Sequence, residues 1–262
     1  MTGTNKTLYI PLYGKAYVSR KNIILKDEKA EEIWAAEGFE LGRKSRSKWL
    51  AYYMAMRRRV FDDVVAETVK QKPDAAVLHI GCGLDPRYER IKPDCQWYDI
   101  DFDAVISEKR KYFAESDNYH LLSGDATQAD RWLTYFTQKT AIVVMEGVSM
   151  YLTGRQMKKL VADLQKHFDH TILIADFYSE FAAKMSKYKN PVNEVGAAVY
   201  NGMDNPEPLV INDKVKFIKE VDMTPGHLIK QLGKAEQLVF GRLYAGKFAK
   251  GLYSMYVYRI EK

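Results

Sequence analysis

The sequence predicts a doubly wound α/β fold on a mainly parallel sheet, and three observations predict it. From residue 75 onward, apolar runs of strand length alternate with helical patterns, as parallel strands buried on both faces and joined by crossover helices do. The first run, "AAVLHI" (75–80), ends in the glycine pair Gly81 and Gly83. The last run, "SMYVYRI" (254–260), alternates instead, in the manner of an antiparallel strand pair at a sheet edge.

The elements follow in chain order. Ala30, Ile33, Trp34 and Phe39 recur at near-helical spacing, and "KWLAYYMAMRRRVFDDVVAETV" (48–69) carries a broad apolar stripe, so residues 1–72 form a helical cap over the sheet. The core, residues 73–177, holds strands at 75–80, 96–100, 119–122, 141–145 and 171–177. Helices are predicted between them over 103–115, 127–137 and 154–168, the last with Thr153 as N-cap. Residues 178–214 break the rhythm with Asn190-Pro191, Asn201-Gly202 and Asn205-Pro206 turns and are read as a lid. Residues 215–262 supply the strands 215–221 and 254–260, with helical signal around 225–239. Residues 1–262 are thus expected to make one domain, a length at which a single core is still the default.

Composition narrows the function classes. The chain is 47% hydrophobic and 28% charged, which is globular rather than disordered. No apolar run approaches the roughly 18 residues of a membrane span, and residues 1–20 lack the continuous apolar segment of a signal peptide, so a cytoplasmic location and no membrane partner are expected. Cys82 and Cys95 are the only cysteines, too few for a disulfide framework and without the clustered ligands of a zinc site; no metal is expected. The net charge of +6 is uneven: residues 41–61 hold seven Lys or Arg and no acid. That stretch reads as a solvated helix face, a rim that collects anions, or a nucleic-acid footprint.

The glycine turn points to a nucleotide-like ligand beyond the strand tips. In an open α/β sheet that crevice is where ligands bind, and residues without side chains let a ligand approach backbone. Asp101 lies twenty residues after Gly81, near the separation of a carboxylate that accepts ribose hydroxyls. Asp85-Pro86 stands where a dinucleotide loop carries its third glycine, and an acid there would repel phosphate. S-adenosylmethionine, with adenine, ribose and a zwitterionic amino-acid end but no phosphate, meets these demands. Its carboxylate calls for an arginine, available in Arg57–Arg59, and its ammonium for an acid or backbone oxygens. Asp125 ends the third strand, where an adenine amino group needs an acceptor, and Glu146 emerges after the fourth.

The stretches "PLYGKAYVSRKNIILKDEKAEEI" (11–33), "MRRRVFDD" (56–63), "HIGCGLDPRYERI" (79–91), "WYDIDFDAVISEK" (97–109), "GDA" (124–126) and "EGVSMYL" (146–152) resemble the leucine carboxyl methyltransferase family, and within it the bacterial branch of polyketide O-methyltransferases. The resemblance covers most of residues 8–155. It implies the seven-stranded class I S-adenosylmethionine-dependent methyltransferase fold. It also implies that Arg57 holds the cofactor carboxylate, Gly81 and the neighbouring Gly83 meet it through backbone, and Asp101 takes the ribose. Asp125 and Ala126 bracket the adenine, Glu146 faces the amino-acid end, and Lys15 aligns with a basic residue near the site. The chain departs from the family pattern at His79, Cys82, Pro86 and Asp99.

The reaction that follows is an in-line methyl transfer, in which the protein chiefly aligns the partners and excludes water. The acceptor expected is a carboxylate or hydroxyl of a small polyketide-like molecule; a carboxylate, ionised at neutral pH, needs no base, and His79, His120, His167, His170 and His227 all read as structural. Tyr13, Tyr17, Tyr151, Tyr178, Tyr188 and Tyr200 are candidates for an acceptor pocket, of which about two would serve. "EGVSMYL" stands where nucleic-acid base methyltransferases carry Asn/Asp-Pro-Pro-aromatic, which argues against a nucleic-acid partner. Alternatives are a protein C-terminal carboxyl methyltransferase, a nicotinamide-dependent oxidoreductase on the same sheet, and a scaffold that binds cofactor without turnover. The sequence does not indicate an oligomeric state.

Overall fold

In the computed structural model, which describes residues 9–37, 46–189 and 199–262, β1 (Ala76–Ile80), β2 (Trp97–Asp101), β3 (Tyr119–Ser123), β4 (Thr140–Met145), β5 (His170–Tyr178), β6 (Val215–Val221) and β7 (Tyr253–Glu261) form one sheet. Its order is β3-β2-β1-β4-β5-β7-β6. β1 to β5 are parallel, and β7 runs antiparallel between β5 and the edge strand β6. From β1 the chain winds outward to β3 and then returns to β4, so a switch point lies between β1 and β4.

Helices cover both faces. On one side α1 (Tyr9–Arg20), α2 (Glu28–Glu37) and α3 (Lys48–Gln71) precede the sheet. α1 crosses α3 closely at Gly14, where a Cβ would stand 3.4 Å from the Ala51 Cα. Their apolar residues Leu12, Tyr52, Met56 and Phe61 share a core with Val77, Trp97, Ile142 and Val144, whereas the alternate strand residues Ala76, Leu78, Val143 and Met145 face Trp132, Leu160, Val161 and Leu164. Each central strand is therefore buried on both faces, which is why it reads as an unbroken apolar run.

The crossovers are α4 (Arg87–Ile91), α5 (Asp103–Lys109), α6 (Ala129–Trp132) and α7 (Gly154–His167). Thr153 caps α7 in a reciprocal box with Gln156. Two predicted helices are shorter than their sequence signal. α5 stops at Lys109 rather than 115, because the chain turns there, returning Phe113 to the core and forming the Ser116–Tyr119 bridge. The 127–137 segment is split, its ends tightened by the i to i+3 bonds Gln128 to Asp125 and Phe136 to Leu133. Within 178–214, where no element was expected, α8 (Glu180–Lys189) forms; Phe181 and Met185 on it are exposed, so it has little buried stripe to read. Residues beyond it return to the sheet end: Tyr200 N–H bonds the Met150 carbonyl at 2.9 Å and Met203 N–H the Tyr178 carbonyl at 2.7 Å. Phe39, Arg43, Lys44, the Asn190-Pro191 turn and the Tyr188 side chain lie outside the described residues. α9 (Gly226–Ile229), α10 (Lys234–Leu243) and α11 (Lys247–Lys250) lie between β6 and β7. Among the described residues no helix is long and apolar enough to cross a membrane.

A layer of buried charge joins the cap to the sheet. Arg87 of α4 donates to Asp62 of α3 at 2.8 Å and to Glu146 after β4, and Arg90 donates to Asp62 at 2.7 Å and to Asp27 and Asp85 at 2.8 Å each. Arg58 of α3 pairs with Asp85 and Glu146, and Lys15 of α1 pairs with Asp85 at 3.0 Å. The described part of the basic stretch 41–61 is thus not one solvated face: Arg57 and Arg58 are buried among acids, Arg59 pairs with Asp63, and Lys48 with Glu236. Burial alone would raise the Glu146 carboxyl, but Arg58, Arg57 and Arg87 outweigh it and bring it down to about 2. Burial is likewise outweighed at Asp85, by Arg58, Arg90 and Lys15, which hold it well below the usual carboxylate range.

Two outcomes follow for stability. Arg87→Met takes from Glu146 one of its three buried guanidiniums and from Asp62 one of its two, and costs about 3 kcal/mol in urea unfolding, whereas Arg59→Met, at an exposed pair, leaves the midpoint nearly unchanged. Because Glu146 and Asp85 ionise more readily folded than unfolded, the unfolded chain binds more protons in acid. Stability is then full above about pH 5 and falls progressively as pH drops toward 2; a flat profile down to pH 3 would contradict the pairing.

Candidate functional site

At the carboxyl ends of β1, β2, β3 and β4 lies a cavity of about 450 Å³. Backbone conformation shapes its floor. Gly81 has φ +68°, and a Cβ there would come within 2.3 Å of Val148 Cγ2; Gly83 and Gly147 are left-handed as well, at φ 53° and 70°. No other residue fits the Gly81 position, which closes the β1 turn against the loop after β4. Gly81 N–H bonds the Ile100 carbonyl at 2.7 Å, fixing the turn to β2.

Lys15, Arg57, Gly81, Gly83, Asp101, Asp125, Ala126 and Glu146, the residues singled out from sequence, all line this cavity. Asp101 accepts the Gly83 N–H at 2.9 Å and the Phe102 N–H at 2.8 Å, one on each oxygen; burial raises its pKa and those two bonds restrain it. Each oxygen keeps capacity for a further donor. Asp125 takes both the N–H and the hydroxyl of Thr127 on Oδ1, at 2.8 Å each.

The charged end differs from its sequence reading. Glu146 is not open to an ammonium group: Oε1 accepts Arg57 Nε at 2.9 Å and Oε2 faces Arg87 and Arg58. Lys15 spends its charge on Asp85, with Asp27 at 4.0 Å, and burial lowers its pKa although Asp85 opposes this. Asp85, read as a repulsive acid, is neutralised by Lys15, Arg58 and Arg90, so the exclusion of phosphate on its charge fails. Arg57 donates Nε to Glu146 and Nη1 to the Tyr253 hydroxyl at 2.9 Å, with Nη2 beside Gly147 on the cavity wall, 3.4 Å from where a Cβ would stand.

Sequence reasoning missed Lys109. Its fully buried ammonium donates to the carbonyls of Gly83 at 3.1 Å and Asp85 at 2.6 Å and pairs with Asp99 at 2.8 Å. It grips the glycine turn from beneath, and no motif marks it. His79 and Asp99, two departures from the family pattern, bond each other at 2.9 Å. Asp99 only accepts, so His79 Nδ1 carries the proton, and burial with Arg87 beside it lowers the imidazole pKa.

The far end of the cavity is apolar, lined by Ile10, Leu12, Leu50, Met54, Tyr151 and Tyr178. Of the five candidate tyrosines whose side chains are described, Tyr151 and Tyr178 line it; Tyr13 and Tyr17 pack with each other and with Trp34 and Tyr52. The α3 part of this wall is braced from the C-terminal region: Glu236 of α10 accepts Lys48 at 2.8 Å and Tyr52 at 3.0 Å, and Tyr244 stacks on Trp49.

Comparison with known proteins matches this arrangement. The model of the leucine carboxyl methyltransferase family fits residues 12–165. The tetracenomycin polyketide synthesis O-methyltransferase of Streptomyces glaucescens is 28% identical over 80% of this chain and 78% of its own. An S-adenosylmethionine-dependent methyltransferase of Gibberella zeae is 25% identical over the same shares. In fold the chain resembles a DUF574 family protein of Streptomyces avermitilis (TM-score 0.57, 10% identity, 90% of each chain) and magnesium protoporphyrin IX methyltransferase of Synechocystis with bound SAH (TM-score 0.53, 12% identity, 90% of this chain and 94% of that one). A nicotinamide-dependent oxidoreductase is thereby set aside. The glycine turn, the acids at the strand tips and the match over more than half its length agree: the chain belongs to the leucine carboxyl methyltransferase family and is an S-adenosylmethionine-dependent methyltransferase.

Proposed function

We propose that the protein transfers the methyl group of S-adenosylmethionine to a carboxylate, or an acidic hydroxyl, of a small apolar polyketide-like molecule. The cofactor supplies an electrophilic methyl on a sulfonium; the protein's part is to hold, align and exclude water. In this reading Asp101 accepts the ribose hydroxyls, Asp125 and Ala126 flank the adenine, and the backbone at Gly81 and Gly83 meets the ligand where side chains would not fit. Arg57 offers Nη2 to the amino-acid carboxylate. Glu146 and Lys15 act at that end mainly by fixing the charges around it, since their own are already paired.

One observation carries the choice of acceptor: beyond Asp101 and Asp125, which the cofactor takes in this reading, the described residues lining the cavity offer no spare base. Among the described residues lining it there is no histidine, and Glu146 and Asp85 are held ionised by cationic partners. Burial raises the Tyr151 phenol, so it stays protonated. A nucleophile in such a site must arrive already ionised, as a carboxylate with a pKa of about 4 does. The apolar end formed by Leu50, Met54, Tyr151 and Tyr178 suits an extended hydrophobic body behind that group. The likeness to the tetracenomycin enzyme, whose name places it in polyketide synthesis, supports the same class.

Calorimetry tests the cofactor site: wild type binds S-adenosylmethionine in the micromolar range, and Arg57→Ala weakens it at least about thirtyfold, the loss of a charge-assisted contact. Equal affinities would overturn the assignment. Acceptor chemistry is read from the pH dependence of turnover across a panel of aromatic carboxylic acids and phenols. Carboxylic acids give a kcat flat from about pH 6 to 8.5, whereas a rate that rises tenfold per pH unit would mean that a hydroxyl must first be deprotonated.

A further inference from the structure

Arg57 is aimed by residues that lie beyond the family match. Its guanidinium has three edges, and two are occupied: Nε donates to Glu146, and Nη1 donates to the Tyr253 hydroxyl at 2.9 Å. Tyr253 begins β7, the antiparallel strand, and does not line the cavity. Its own hydroxyl proton goes to Asp176 Oδ2 at 2.7 Å. A carboxylate can only accept, so that bond fixes the direction of the phenolic O–H and leaves the oxygen lone pairs toward Arg57. Asp176, fully buried on β5, also accepts the Gly147 N–H on Oδ1 at 2.8 Å and stands 3.7 Å from Arg57 Nη1. One carboxylate therefore sets both the rotamer of the arginine, through Tyr253, and the backbone of the left-handed glycine beside the third edge of that arginine.

We infer that Asp176 and Tyr253 are positioning residues for the amino-acid end of the cofactor: they hold Arg57 so that Nη2 alone faces the ligand. The inference rests on the cofactor reading above and adds a specific division of labour to it. The alternative is a pair that merely stabilises the sheet. The two differ in what they predict for ligands that share the adenosine but not the amino acid. A positioning pair affects only those that carry the carboxylate, because Asp101 and Asp125 take their hydrogen bonds from Gly83, Phe102 and Thr127 rather than from Tyr253 or Asp176.

The experiment compares S-adenosylhomocysteine with 5′-methylthioadenosine, which lacks the amino-acid end, by calorimetry on wild type, Tyr253→Phe and Arg57→Ala. Tyr253→Phe weakens S-adenosylhomocysteine about tenfold, as loss of one oriented bond to a charged group would, and leaves 5′-methylthioadenosine unchanged. Equal weakening of both ligands, or of neither, overturns the inference. Arg57→Ala separates the two levels: if it does not weaken S-adenosylhomocysteine, the cofactor reading itself fails, whereas a loss there without one in Tyr253→Phe removes only the positioning role. Should Tyr253→Phe fail to fold, Asp176→Asn carries the same comparison, because it removes the acceptor that orients the hydroxyl while keeping the side-chain volume.

Discussion

The structure depends on one carboxylate, Glu146, shared by three guanidinium groups. Its oxygens face Arg57 and Arg58 from α3 and Arg87 from α4, all buried, so the tip of β4, the cap and the first crossover meet at a single charge. An ion taken out of water costs several kcal/mol unless its partners are in place, and cations as close as these would repel one another without it. The cluster therefore has little freedom to rearrange piecemeal. It extends through Asp85, Asp62 and Asp27 to Lys15 and Arg90, and its members come from sequence positions as far apart as 15 and 146.

This layer explains how a modest apolar cap can be seated accurately over the glycine turn. Hydrophobic contact between α3 and the sheet is non-directional, whereas a guanidinium fork fixes both distance and angle. Lys109 does on the opposite side of the turn what the arginines do above it, tying the carbonyls of Gly83 and Asp85 to β2 through Asp99. The turn is held from both sides, and the cavity between β1 and β4 inherits that rigidity.

The strands were legible in the sequence, and the charge layer was not. Each strand from β1 to β7 lies within about two residues of its sequence run; for the central strands the reason is burial on both faces, which leaves a local signature, whereas the edge strand β6 is mostly exposed. The cavity-lining residues were legible for a related reason: Gly81, Asp101, Asp125 and Glu146 sit at strand ends, where the fold puts its ligand. Partnership is different. That Asp85 turns to Lys15, or that Glu146 is already taken, depends on residues distant in sequence, and an isolated acid in a loop reads as free. His79 and Asp99 show the same limit, since each looks like a separate oddity until they are found 2.9 Å apart. Helix ends were least legible where a tight turn, as after Lys109, cut short a continuing pattern.

The brace between α10 and the start of α3 has an evolutionary consequence. Glu236, Phe240 and Tyr244 stand against Lys48, Trp49 and Tyr52, one turn or less from Leu50 and Met54 of the apolar wall. A lineage that altered its C-terminal helices would thereby reshape the apolar end of the cavity through the cap, at a distance from the glycine turn.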